Sequence, residues 1–253
     1  MTNDTNHYKR VVKAMGVSRW DGIIEMEAFI DRERSMYGRT EIDEKDLEEE
    51  IENGKEQIKA WMQHYRLNKW SNQDNYIEVW IEKKALQGVF EWPCRRMDVG
   101  LAPCKGYPSI TFLNDASKRF EQAEDQGKNL IILYFGDYDP SGKDIPRSIK
   151  ENLARMGVNV EMKQVALNKE QIDKYKLPGV PAKASDSRSR SWSGGDVVEL
   201  DAIEPKELEA MVKQIIKEHF DRDDYAELQE KQAEEKNTYR KKLKDFVNDL
   251  GEE

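Results

Sequence analysis

Cysteine and histidine are scarce in this sequence. It has two cysteines, Cys94 and Cys104, and three histidines, none of which stands at a zinc-binding spacing from a cysteine. Two cysteines do not make the disulfide framework of a small secreted protein, so we expect a reducing, cytoplasmic environment. Zinc is not an expected ligand, because its protein sites are built mainly from cysteine and histidine.

Long apolar runs and nucleotide-binding motifs are missing as well. No segment approaches the ~20 consecutive apolar residues of a membrane span, and the N-terminal stretch MTNDTNHYKR has no apolar signal-peptide core. The sequence also lacks a Walker A motif. We therefore expect no membrane contact and no ATP hydrolysis by this chain.

The composition that remains is globular with a very polar surface. Charged residues make up 36% of the chain and hydrophobic residues 38%, with six tryptophans and ten tyrosines. The formal net charge of −9 argues against a protein that coats nucleic acid with its whole surface. It remains compatible with a local basic groove, or with an acidic site whose charge is screened by a metal ion.

Hydrophobic periodicity predicts three regions along the chain. Residues 1–72 have apolar side chains at three- and four-residue spacing and are predicted to be helical. Residues 73–220 alternate short apolar runs with amphipathic helices, which is typical of a parallel sheet flanked by helices. Residues 221–253 are predicted to form a charged C-terminal helix. The expected fold class is therefore α/β, with a helical N-terminal region and a charged helical tail.

Within the α/β region the sequence predicts four strands, each ending close to a loop or a helix start. The predicted strands are YIEVWIE, MDVGLA, NLIILYF and VNVEMKQVAL. Ser109 is expected to cap the helix after the second strand, and Pro205 to begin a strong amphipathic helix near the end. The run VVELDAI, just before Pro205, is predicted to be extended.

Acidic residues stand where two of these strands end. Asp137 and Asp139 follow NLIILYF, and their i, i+2 spacing directs both side chains the same way if the chain stays extended. Glu82 ends YIEVWIE. Sites in parallel α/β sheets lie at the carboxyl ends of strands, and neighbouring carboxylates repel unless a cation lies between them. The pattern therefore predicts that the three carboxylates converge on one hard divalent ion, Mg²⁺ or Mn²⁺.

A structural interpretation of the same residues stays open. Asp139 or Ser141 can cap the helix that begins near Ser141, with Asp137 solvated. Glu82 can be a surface carboxylate at a helix start.

Three motifs together resemble a known family. VWIEKKAL, then KGYPS, then YFGDYDPSGKDI resemble the Toprim domain, which topoisomerases, primases and several nucleases share. The resemblance is closest to the A subunit of topoisomerase VI and its meiotic double-strand-break relatives, and covers residues 76–165. It implies a Toprim-like sheet, a Mg²⁺ cofactor and DNA as partner, with Glu82, Asp137 and Asp139 as catalytic and metal-binding residues.

A second stretch resembles less characterised relatives. KASDSRSRSWSGGDVVELDAIEPKEL is similar to a C-terminal stretch of uncharacterised phage and plasmid Toprim proteins. That likeness implies a second acidic, metal-binding pair at Glu199 and Asp201. The alternative is a strand end followed by a helix cap before Pro205.

Cations near these motifs are candidate phosphate contacts. They are Lys83, Lys105, Lys143, Arg188 and Arg190. For each of them, the alternative is an ordinary surface cation.

One expected element of the topoisomerase relatives is missing. Their nucleophilic tyrosine lies in an arginine-rich segment before the Toprim domain, and residues 1–75 contain only the isolated tyrosines Tyr8, Tyr37 and Tyr65. The sequence thus favours a Mg²⁺-dependent protein that processes DNA phosphodiesters, most simply a nuclease that uses water. Glu82 is alternatively a general acid or base.

Two other functions remain as alternatives. The chain can be a non-catalytic Toprim module that binds nucleic acid, a protein partner or a second copy of itself, which its long charged helices would suit. It can also be a phosphatase of the haloacid-dehalogenase type, with Asp137 as nucleophile and Asp139 as acid. Against the phosphatase, that motif usually lies near the start of its domain, and no convincing acidic pair with a lysine follows it.

Overall fold

The computed structural model describes residues 5–28, 46–181 and 192–250. The chain divides into two compact units, residues 1–55 and 56–253. The first unit contains α1, Thr5–Trp20, and the unit boundary falls within α2, Leu47–Gln63. Three of the residues singled out above, Tyr37, Arg188 and Arg190, lie outside the described residues.

The second unit is built on a parallel sheet. Its strands are β1 (Asn75–Ile81), β2 (Gly100–Pro103), β3 (Asn129–Phe135) and β4 (Glu161–Ala166). In the described part of the chain they lie in the order β2-β1-β3-β4, and every neighbouring pair is parallel. The expected α/β class, a parallel sheet flanked by helices, is confirmed.

Helices connect and cover these strands. They are α3 (Gln87–Arg96), α4 (Ile110–Glu124), α5 (Pro140–Arg155), α6 (Lys169–Tyr175), α7 (Pro205–Glu218) and α8 (Arg222–Leu250). Ser109 caps α4 by accepting a hydrogen bond from the amide of Phe112, and α7 begins at Pro205, as the sequence predicts. None of the helices among the described residues has a stretch long and apolar enough to cross a membrane.

Alternation along the central strands divides the core into two layers. Odd-numbered residues of β1 and β3, such as Ile81 and Phe135, pack in the cluster that contains Phe90 of α3 and Val212 of α7. Even-numbered strand residues pack on the other side against α4 and α5. This cluster contains the strand residues Trp80, Ile132 and Tyr134 and the helix residues Phe120, Ile145, Ile149 and Leu153. Because both faces are buried, the strands read as nearly continuous apolar runs.

The run VVELDAI differs from the extended run that the sequence predicts. Val197 and Val198 form only isolated antiparallel bridges, and the chain then turns through a 3-10 helix at Leu200–Ala202. Val198 pairs with Tyr138, which lies beyond the end of β3. Among the described residues these two bridges do not continue into a ladder, and the chain turns directly after them.

A buried carboxylate on β1 is held by a complete set of donors. Glu78 is 3% exposed and accepts hydrogen bonds from Tyr76, Trp80 and the guanidinium of Arg119 on α4. The two Arg119 bonds measure 2.8 and 3.1 Å, the geometry of a fork-shaped ion pair. This network joins α4 to the centre of the sheet.

Replacement of Arg119 by methionine should weaken the fold. The change leaves a buried carboxylate without its counter-ion, and incomplete satisfaction of such a group lowers the free energy of unfolding by about 2 kcal/mol. Chemical denaturation at neutral pH measures the loss.

The control for that variant is Arg147→Met on α5. Arg147 forms ion pairs with two carboxylates, Asp144 and Glu151, but all three side chains are on the surface. Exposed ion pairs contribute little, so this variant should have a clearly smaller effect. Equal losses in the two variants would show that burial of Glu78 is not what makes its pair important.

Candidate functional site at the carboxyl edge of the sheet

Strand register brings Glu82 and Asp137 together. Ile81 of β1 lies opposite Phe135 of β3, and the Glu82 amide donates to the Phe135 carbonyl at 2.9 Å. The Asp137 amide then donates to Glu82 Oε2 at 3.0 Å. The ends of two neighbouring parallel strands thus meet through a carboxylate of one and a backbone amide of the other.

Gly136 makes that approach possible. A Cβ at this position would lie 2.7 Å from Glu82 Oε2 and against the ring of Tyr134. Any side chain there would push the Glu82 carboxylate away from the strand end. The glycine between the apolar strand and Asp137 is therefore part of the site geometry.

Asp139 caps the helix that follows. Its Oδ1 accepts from the Gly142 amide at 2.6 Å, and α5 starts at the next residue, Pro140. The capping interpretation of Asp139 is thus confirmed, whereas Asp137 is 8% exposed and so is not a solvated surface residue. Gly142 is needed here too, because a Cβ on it would overlap the carbonyl oxygen of Asp137.

Each of the three carboxylates uses one oxygen to accept from a backbone amide. Glu82 uses Oε2 for Asp137, Asp137 uses Oδ1 for Leu200, and Asp139 uses Oδ1 for Gly142. For the second oxygens, Glu82 Oε1 and the two Oδ2 atoms, the structure shows no partner among the residues it describes. The amides thus orient the carboxylates and leave one oxygen of each available.

Burial and mutual repulsion shift the ionisation of these groups. Burial raises the pKa of Glu82 to about 7, the Asp137 amide works against the rise, and the charges of Asp137 and Asp139 add to it. Burial also raises the pKa of Asp137, opposed by the Leu200 amide and by the ammonium of Lys83. A half-buried and a buried acid that are hard to ionise side by side form an arrangement that a bound cation relieves.

The chemistry of the three carboxylates suits a hard divalent cation, but the distances between them in this structure do not. Oriented oxygens in an acidic, partly buried corner are the ligands that Mg²⁺ prefers. Over residues 5–28, 46–181 and 192–250, however, no three acidic, histidine or cysteine side chains are close enough to hold one ion. The side chains would have to move towards one another to share a metal.

Lys83 contacts the second acidic pair, Glu199 and Asp201, at the same corner of the sheet, where β1 and β3 end. Its Nζ lies 3.4 Å from Asp137 Oδ1, 3.2 Å from Glu199 Oε2 and 3.3 Å from Asp201 Oδ1. Burial works to lower the pKa of Lys83, but the three carboxylates outweigh it and the pKa is raised. In this arrangement the ammonium contacts protein carboxylates rather than offering its charge to a phosphate.

The other candidate cations lie around the edge of the corner. Lys105 is exposed in the loop after β2, where the next amide, that of Gly106, donates to the Glu82 carbonyl at 3.2 Å. Lys143 lies in the first turn of α5, with Nζ 3.2 Å from Gln164 Oε1 and 5.3 Å from the centre of the Tyr138 ring. Burial lowers the pKa of Lys143.

Two residues of the site, Tyr134 and Leu200, are not among the candidates that the sequence analysis names. The Tyr134 hydroxyl lies 3.4 Å from Glu82 Oε2, and burial raises the pKa of this phenol, which keeps it protonated as a donor. It is the one polar group in the strand core LIILYF, which is the signal that points to it. The Leu200 amide has no such signal, because any residue offers a backbone N–H.

Cys104 lies beside the site but is not poised as a nucleophile. Its amide donates to the Ile81 carbonyl at 2.8 Å, and the side chain is buried. Burial, followed by the charge of Glu82, raises the pKa of the thiol to about 12. The thiolate is therefore not formed at neutral pH.

Two of the three tyrosines considered as nucleophiles, Tyr8 and Tyr65, are among the described residues. Tyr8 is exposed on α1. The Tyr65 hydroxyl donates to Glu235 of α8, and its ring packs on Tyr239 with 5.1 Å between centroids.

Comparison of the chain with protein-family models and with curated proteins found no match. The likeness to Toprim domains therefore depends on the motif residues alone.

Glu82→Gln should change how stability depends on pH. Because the pKa of Glu82 rises from 4.5 to about 7 on folding, the folded state holds this proton more tightly than the unfolded state. The resulting stabilisation is complete below the unfolded pKa and is lost as pH rises through about 7. Chemical denaturation at several pH values between 4.5 and about 7 measures the free energy of unfolding. This free energy should fall more steeply with rising pH for the parent than for Glu82→Gln. Parallel pH profiles would show that Glu82 is not perturbed.

Gly142→Ala should destabilise the protein strongly, because the new methyl group would meet backbone that cannot move without displacing Asp137. Gly88→Ala is the matched control, since a Cβ there meets nothing within 4 Å and lies in helix α3. Alanine favours a helix over glycine, so the control should be neutral or more stable by up to about 1 kcal/mol. Thermal unfolding of both variants measures the contrast, and a neutral Gly142→Ala would contradict the tight turn.

Proposed function

We propose that this chain is a Mg²⁺-dependent protein of the Toprim class that processes DNA phosphodiesters, most simply a nuclease. The supporting observation is the corner at which β1 and β3 end. There the charges of Asp137 and Asp139 act on Glu82, and each of the three carboxylates has one oxygen for which the described residues show no partner. Mn²⁺ is an alternative ion for the same oxygens. The sequence motifs VWIEKKAL and YFGDYDPSGKDI supply the link to DNA.

The acidic corner repels a phosphate group unless a cation is bound with it. A divalent cation supplies that charge, polarises the phosphate and favours ionisation of water. Glu82, Asp137 and Asp139 would hold it through the second oxygens of their carboxylates. This requires the three side chains to move towards one another, as noted above.

The chain's own residues have further parts in this proposal. Glu82 has a pKa of about 7, so near neutral pH it can both hold and release a proton at the corner. Tyr134 donates towards the same carboxylate and keeps it oriented. Of the candidate cations among the described residues, Lys105, exposed in the loop beside Glu82, is best placed to meet the phosphate backbone.

Hydrolysis by water is the simplest route to cleavage. A topoisomerase-like reaction requires a tyrosine hydroxyl as nucleophile, and Tyr65 is already bound to Glu235. Tyr134 is at the corner, but its buried phenol is a poor nucleophile because burial raises its pKa. Products should therefore have free ends.

The test is a denaturing gel of end-labelled DNA incubated with Mg²⁺ or Mn²⁺. The parent should cut, and Glu82→Gln and Asp139→Asn should each reduce cutting at least about a hundredfold, since each removes a charge from the ion's ligand set. The asparagine keeps an oxygen for the Gly142 amide, so loss of the helix cap does not explain the result. Tyr8→Phe, Tyr37→Phe and Tyr65→Phe are the controls and should cut normally.

The same gel separates the alternatives. Labelled DNA that stays attached to protein after denaturation, and is lost in one tyrosine variant, would replace hydrolysis by a covalent mechanism. No cutting by the parent with either ion would favour a non-catalytic binding module. Release of phosphate from a small ester, without DNA cutting, would favour the phosphatase.

A further inference from the structure

Lys83 joins two parts of the chain that are far apart in sequence. It follows β1, and its ammonium contacts Glu199 and Asp201 as well as Asp137 at the end of β3. We call residues 196–203 the strap. It crosses the carboxyl edge of the sheet beside the strand-end carboxylates.

The strap is anchored by its backbone on one side. Val198 exchanges two hydrogen bonds with Tyr138, at 2.8 and 3.1 Å, and the Leu200 amide donates to Asp137 Oδ1 at 2.8 Å. Val198 and Leu200 are buried. The residues between and after them, Glu199 and Asp201, extend to Lys83.

The polar side of the strap is held more weakly. The side chains of Glu199 and Asp201 are 55% and 48% exposed, whereas that of Asp137 is 12% exposed. Half-exposed ion pairs are weak and are screened by salt. The contact with Lys83 is therefore of the kind that can open and close without unfolding the sheet.

Asp137 Oδ1 has two partners at once, the Lys83 ammonium and the Leu200 amide. A cation that approaches Asp137 meets a positive charge already in place. Loss of the Lys83 charge would leave Asp137, Glu199 and Asp201 facing one another with no counter-ion among the contacts that the structure shows.

We propose that Lys83 is a positioning residue that ties the strap over the strand-end carboxylates and competes with a divalent cation for Asp137. The tie itself is independent of the proposed function, whereas the competition rests on it. The proposal differs from the sequence-based expectation for Lys83, which is a direct contact with a DNA phosphate. A phosphate contact would require the ammonium to leave all three carboxylates.

Hydrogen exchange of the full-length protein without metal or DNA tests the tie. In Lys83→Met, peptides that cover the strap should exchange faster, including the amides of Val198 and Leu200, while peptides from β1 and β3 keep the parent rate. Lys83→Arg keeps the charge and should restore slow exchange. Glu199→Gln combined with Asp201→Asn should also speed exchange in the strap, and so should added salt in the parent. Unchanged protection of the strap in Lys83→Met would overturn the tie.

Direct titration with Mn²⁺, followed by the loss of the free-ion electron resonance signal, tests the competition. Lys83→Met should bind Mn²⁺ about tenfold more tightly, because a neighbouring positive charge is removed near a partly exposed site. Lys83→Arg should bind like the parent. A residue with a merely structural role would give unchanged or weaker binding, and that outcome would overturn the competition.

The two measurements test the two parts of the proposal, the tie between Lys83 and the strap and the competition with a cation, independently of each other. Absence of Mn²⁺ binding in every variant would overturn both the metal-dependent function and the competition, while hydrogen exchange would still decide the tie. Tighter Mn²⁺ binding in Lys83→Met with normal strap exchange would keep the competition and remove the tie.

Discussion

Seven consecutive residue pairs join β1 to β3 in parallel, from Asn75 opposite Asn129 to Ile81 opposite Phe135. Because both strands stop at the same level, the residues that follow them emerge side by side at one edge. Glu82 then has a backbone amide of the neighbouring strand end within reach, and the loop that contains Asp137 and Asp139 is fixed against it. The rest of the candidate site, including Lys83 and the strap, depends on this shared register.

The charges at this edge are retained against a clear electrostatic cost. Burial makes ionisation harder for Glu82 and Asp137, and it raises the pKa of both. Backbone amides and Lys83 offset part of that cost, but they do not bring the pKa of Glu82 back to its ordinary value. Structural ion pairs produce such shifts too, and acids that perturb one another's pKa in this way are candidates for a functional site.

The motif DYDPSG can act both as a helix start and as part of a metal site, because the two roles use different oxygens of Asp139. Asp139 caps α5 with one oxygen, Pro140 occupies the first helical position, and Gly142 allows the helix start to press against the Asp137 carbonyl. The cap orients the Asp139 carboxylate, whereas the Asp137 carboxylate is oriented by the Leu200 amide and Lys83. A helix cap of this kind is compatible with the proposed metal-binding role of Asp139, because it uses only one carboxylate oxygen.

Local pattern determined much of this molecule. The apolar runs predict all four strands, Ser109 and Pro205 mark helix starts correctly, and the acids at the strand ends follow from reading where those runs stop. These features depend on residues close to one another in sequence, which is where periodicity and capping preferences carry information.

Tertiary packing alone decided the strand order, the donor role of Tyr134, the Leu200 amide and the ties from Lys83 to Glu199 and Asp201. The partners in the Lys83 ties are 116 and 118 residues apart, so no local periodicity relates them. The same limit explains why VVELDAI is not a strand, although its residues favour one. In the described structure Val197 and Val198 each form one isolated bridge, to Val180 and Tyr138, instead of a ladder, and a strand needs a partner along its whole length.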